Sequence, residues 1–79
     1  MEKRLSLIMS DIFDLKESNI SDESSMDNIE KWDSLGHLKL IMSIEKEFGV
    51  PIDAMDIVEL TSFKKIILYL KNNMSLRSG

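Results

Sequence analysis

Residues 33–50 read DSLGHLKLIMSIEKEFGV, and this stretch decides how the chain folds. Asp33-Ser34 supplies an N-cap, Gly49 and Pro51 end the run, and the residues between them repeat at three- and four-residue steps. A helix over 34–48 follows. The cap is partial, because His37 stands where a Glu or Gln would complete a capping box with Ser34. The helix carries more apolar residues than one buried stripe needs. Leu40, Ile41, Ile44 and Phe48, joined by His37, form one face; Leu35, Leu38 and Met42 form another, about 200° away at about 100° per residue. Only one of the two faces a small core fully. With the Phe48 stripe inside, Leu35, Leu38 and Met42 remain as an apolar patch for a partner, although a middle helix with neighbours on two sides also buries both.

Working outward, Leu5, Ile8, Met9, Ile12 and Leu15 lie along one face of a first helix over 2–15. From Lys16 to Asp33 the chain is rich in Ser, Asn, Asp and Glu, and Ile20, Met26, Ile29 and Trp32 fall at irregular intervals. This is a long loop whose apolar residues favour packing down; loops of such length in compact domains are functional or disordered. Beyond Pro51, residues 53–60 have helix-like character. Thr61-Ser62 then caps a last helix, over 62–72, with Phe63, Ile66, Ile67 and Leu70 on one side. The tail from Asn72 to Gly79 lacks apolar periodicity and is expected to fray. Seventy-nine residues make a single domain over 1–79 with a modest core. The expected fold is all-α: a four-helix bundle with a long first loop and a short third helix.

The charge pattern narrows the function. The net charge is −4, and between Asp11 and Glu30 seven acids face a single base, Lys16. Such a surface repels nucleic acid and favours partners with basic patches. The acids lack the spacing of a calcium loop and the one histidine stands alone, so no metal site is expected. The absence of cysteine excludes disulfides, thiolate metal sites and a protein-borne thiol. No apolar run reaches membrane-spanning length and the N-terminus lacks a secretory pattern, so a cytoplasmic monomer without membrane contact is expected. Ser34 and His37 share a helix face, but a nucleophile elbow is missing, Asp33 is poorly placed to orient His37, and so small a chain has little room for an oxyanion site. Catalysis by Asp33, Ser34 and His37 is therefore not expected, and His37 is expected as a half-buried residue at the edge of the core.

The segment Asp33-Ser34-Leu35 opening a helix, the Glu45-Lys46-Glu47-Phe48-Gly49-Val50 ending, Ile52, and Leu60-Thr61-Ser62-Phe63 before the last helix together resemble the acyl carrier protein family over nearly the whole chain. The resemblance implies a non-catalytic carrier whose Ser34 hydroxyl is esterified to 4'-phosphopantetheine, with acyl groups held as thioesters on that arm. It implies that Asp33 helps a phosphopantetheinyl transferase dock, and that Leu35, Leu38, Met42 and Glu45 meet acyl-loading and acyl-transferring enzymes. It offers Ile52, Ile57, Leu60 and Phe63 as lining for an acyl cavity, though these four read equally well as ordinary core. Gly36, Lys39 and Lys46 dilute the acidic strip of the fatty-acid carriers, and Trp32 replaces a small residue. The stretch Trp32-Asp33-Ser34-Leu35-Gly36-His37 is closer to carriers of specialised pathways. A peptidyl or aminoacyl carrier, including a D-alanyl carrier, uses the same arm and stays an alternative, as does an unmodified helical adaptor.

Overall fold

A computed structural model describes residues 1–78, with side chains through Asn73. Helix α1 spans Glu2–Phe13, α2 Ser34–Phe48, α3 Ala54–Ile57 and α4 Phe63–Ser78, with one turn of 3-10 helix at Glu17–Asn19. The expected all-α architecture with a short third helix is observed.

The core follows from the helical repeats. In α1 the spacing of four brings Leu5, Met9 and Phe13 inward, while Ile8, Ile12 and Leu15 pack partly buried at the margin. From α2 come Leu40, Ile41, Ile44 and Phe48, and from α4 Phe63, Ile66, Ile67 and Leu70. Each fully buried aliphatic or aromatic side chain contributes about 1.5–3 kcal/mol relative to exposure. The ion pairs Lys3–Glu17, Lys31–Asp14 and Lys71–Glu2 lie on the surface and add little.

Three helices differ at their ends from the sequence expectation. Helix α1 stops at Phe13 rather than at residue 15, because Asp14 turns left-handed at φ 55° and the Leu15 amide folds back to the Ser10 carbonyl at 3.0 Å. Asp tolerates that conformation better than most residues. Helix α3 covers Ala54–Ile57 rather than 53–60. The Ile57 carbonyl, which a continuing helix would give to Thr61, accepts from His37 Nε2 at 2.6 Å, and the Thr61 amide turns to the Glu59 carbonyl. Helix α4 continues to Ser78, past residue 72, since an established helix propagates one bond per residue without needing apolar periodicity. It begins at Phe63 with Ser62 as cap, the Ser62 hydroxyl accepting from the Lys65 amide at 3.2 Å. Of the expected frayed tail, Gly79 lies outside the described residues.

The loop over 16–33 is held by its own side chains. The hydroxyls of Ser21, Ser24 and Ser25 accept from the amides of Glu23, Ser21 and Asp27, and Asn28 both accepts from the Ser25 amide and donates to the Glu23 carbonyl at 2.7 Å. A polar composition thus replaces a ladder. The loop is then pinned to the α3–α4 corner, where the Met26 amide meets the Thr61 carbonyl at 3.0 Å and the Phe63 amide meets the Ser24 carbonyl at 2.9 Å. Ile20, Ile29 and Trp32 anchor it in the core.

Tyr69, the only tyrosine, points its hydroxyl toward the Pro51 carbonyl at 3.3 Å. Partial burial, with the Asp56 carboxylate beside it and Asp53 and Glu45 nearby, raises its pKa above the ordinary 10.0. Because the folded value lies above the unfolded one, the tyrosine's contribution to stability is complete below about pH 10 and is lost as pH rises through the folded value. Phenolate absorbance is therefore expected to show a midpoint above that of free tyrosine, and Asp56→Asn is expected to bring it down.

Candidate functional site

The first turn of α2 gathers the residues that the sequence singles out. Asp33, not Ser34, is the N-cap: its backbone is extended and its Oδ1 accepts from the Gly36 amide at 2.8 Å. Ser34 is the first helical residue and is exposed, and its hydroxyl caps nothing among the described residues. The neighbouring Ser34 and Leu35 amides are the kind that a helix start leaves without an intrahelical acceptor, so an anion on the Ser34 oxygen would meet N–H groups and the positive end of the helix dipole. Gly36 makes this tight start possible. A Cβ there would press into the Lys31 carbonyl and against the Phe13 ring and Asp33 Oδ1.

His37 follows one residue later and is 7% exposed. The Trp32 indole N–H, which can only donate, reaches His37 Nδ1 at 2.9 Å, so the ring proton sits on Nε2 and is given to the Ile57 carbonyl at 2.6 Å. Trp32 also stacks on Phe13, with centroids 5.3 Å apart, and on His37 at 6.1 Å. With both nitrogens engaged inward, His37 has none left for Ser34. It is a core residue that ties the loop, α2 and α3 together, rather than one at the half-buried margin.

The two-stripe reading of α2 matches the burial. His37, Leu40, Ile41, Ile44 and Phe48 are buried, while Leu35 is 63%, Leu38 51% and Met42 68% exposed. Glu45 is half-buried, and one of its carboxylate oxygens accepts from the Ile52 amide at 3.0 Å and holds the turn after α2. Ile52, Leu60 and Phe63 are buried in the core and Ile57 is packed against it. The sequence pattern did not mark Met55 of α3 and Val58 at its C-cap, both apolar and exposed. Their spacing of three was the available signal, in a helix too short for periodicity to declare it. Acids of the loop, among them Asp22, Glu23, Asp27 and Glu30, are exposed. No group of three or more His, Asp and Glu residues among those described is placed to hold a metal ion, and no described helix is long and apolar enough to cross a membrane.

A small helical domain with an exposed serine at a helix start, where backbone amides favour an anion, suits a carrier of a phosphate-linked group. Comparison with known proteins agrees. Residues 3–70 match the family model described as phosphopantetheine attachment site. The chain is 35% identical over 72 residues to an acyl carrier protein of Buchnera aphidicola subsp. Schizaphis graminum, covering 91% of each chain. It is 32% identical over 72 residues to an acyl carrier protein of Nitratidesulfovibrio vulgaris, covering 91% of this chain and 95% of the relative. The chain belongs to the acyl carrier protein family, and its cofactor is 4'-phosphopantetheine.

Because Asp33 caps α2 and Ser34 does not, Ser34→Ala is expected to leave stability in urea unchanged, whereas Asp33→Ala is expected to lower it by about 1 kcal/mol. Equal losses in the two variants would contradict the assignment of the cap.

Proposed function

We propose that Ser34 is the attachment point of the arm, and that this chain works as a cytoplasmic, monomeric carrier presenting acyl groups as thioesters to biosynthetic enzymes. The observation that carries this reading is the Ser34 hydroxyl, exposed at the first position of α2 and free of any capping duty. When attached, the cofactor supplies the thiol that a cysteine-free chain lacks. Attachment joins Ser34 Oγ to the phosphorus of coenzyme A as the pyrophosphate P–O bond breaks, with the hydroxyl proton and adenosine 3',5'-bisphosphate as the products released. The chain's own part is to hold the oxygen outward and to set backbone amides beside the new anion. Asp33 Oδ1 stays on the Gly36 amide, which leaves the other carboxylate oxygen facing outward for a phosphopantetheinyl transferase.

Intact mass before and after incubation with coenzyme A, magnesium and a broad-specificity transferase tests the reading. One phosphopantetheine is expected on the wild type and none on Ser34→Ala; a folded wild type that gains nothing would make the chain an adaptor.

Leu35, Leu38 and Met42 form the apolar centre of the partner surface, with Asp33 at the start of the same helix and the exposed acids of the loop adding negative charge to the domain. Interfaces of this kind depend on a few apolar anchors and are steered by screened charge. Leu35→Ala with Met42→Ala is expected to slow attachment at least tenfold with little change in stability, measured as the rate of mass gain at equal protein concentration. Unchanged rates would remove the stripe from recognition by the transferase.

A further inference from the structure

We infer that this carrier keeps its cargo outside its core and is built for short or polar acyl and aminoacyl groups rather than long aliphatic chains. This rests on the reading of Ser34 as the root of the arm. The seam between the first turn of α2 and α3 lies within one helical turn of that root and is one way by which an aliphatic cargo could fold back toward the core. His37 lies one turn into α2 and bridges that seam, with Nε2–H bonded to the Ile57 carbonyl at 2.6 Å and Nδ1 taken by the Trp32 indole at 2.9 Å.

A hydrocarbon entering there would have to part the bridge and leave two buried donors, the imidazole N–H and the indole N–H, facing an apolar guest, while the half-buried Ile57 carbonyl would keep only the Leu60 amide at 3.3 Å. Each stranded donor would bear the desolvation penalty of an unmade hydrogen bond. Water cannot easily make good the loss, because Trp32 is closed in by the Phe13 and His37 rings and is 1% exposed. Behind the bridge, Ile52, Leu60 and Phe63 are already packed in the core. Hollows do open elsewhere, among them one beside the loop at Leu15, Asn19 and Ile29, one beside α4 at Phe63, Ile67 and Leu68, and one between α3 and α4 at Leu60, Leu68 and Tyr69. None of these is lined by His37 or Ile57. A short or polar cargo gains little from burial and stays in solvent without penalty, whereas a long chain has most to gain and is met by the bridge.

The apo-protein can be charged from acetyl- or octanoyl-coenzyme A with a broad-specificity transferase, and the two products compared by melting temperature and by the rate of thioester cleavage with hydroxylamine. In the wild type the acetyl and octanoyl forms are expected to melt together and to be cleaved at equal rates. In His37→Ala, with the bridge removed, the octanoyl form is expected to melt higher and to be cleaved more slowly than the acetyl form. A wild-type octanoyl form that melts higher and resists cleavage would overturn the inference, and this pair decides even where His37→Ala does not fold. A folded His37→Ala that treats both cargoes alike would overturn the role given to the bridge. Failure of the Ser34 reading is distinguishable, because no charged protein would then form.

Discussion

One buried hydrogen-bonded relay holds the working end of this molecule together. Trp32 brings the end of the long loop, His37 brings the first turn of α2, and Ile57 brings the last carbonyl of α3, and the three meet through two bonds that each need the other. The indole N–H forces the lone pair of His37 onto Nδ1, which places the proton on Nε2, where the Ile57 carbonyl takes it. Losing His37 strands the buried Trp32 indole N–H, and a buried unpartnered donor costs about 1–3 kcal/mol, several times what a surface ion pair returns. The stack of Phe13 on Trp32 extends the same unit to the end of α1. The ends of α1 and α3 are thereby fixed against the loop end and the first turn of α2 that flank Ser34.

The functional consequence is a division of labour along one helix. The inward face of α2 carries the relay and the core, and the outward face carries Leu35, Leu38 and Met42. Asp33 takes over capping, which frees the hydroxyl next to it. Gly36 lets the Lys31 carbonyl and the Phe13 ring come close enough for this arrangement. A carrier needs an accessible nucleophilic oxygen on a rigid support, and here the rigidity is provided from beneath while the surface stays free.

The parts of this design legible in the sequence are those governed by near neighbours. The Gly49 stop is observed in the left-handed conformation at φ 64°, and Ser62 caps α4 as its position before Phe63 implies. Less legible was which of Asp33 and Ser34 caps α2. Both residue types are good caps, and the choice falls to Asp33 because its carboxylate reaches the Gly36 amide. The order of the loop was also hidden. Its side-chain to backbone bonds span two to five residues and leave no periodic trace, and its anchor at Ser24–Met26 lies on residues Thr61–Phe63 far along the chain. His37 looked marginal because a lone histidine on an apolar face carries no label for its partners.

The sequence by itself therefore determined the four helices, the two faces of α2, and the Asp33-Ser34-Leu35 start that marks the family. Helical period, capping and glycine stops act within a turn or two, so they can be read from adjacent residues. Only the tertiary structure decided the shortness of α3 and the tautomer of His37. Both depend on His37 standing between Trp32 and the Ile57 carbonyl of another helix, and a buried polar group takes the partner that the closed fold provides.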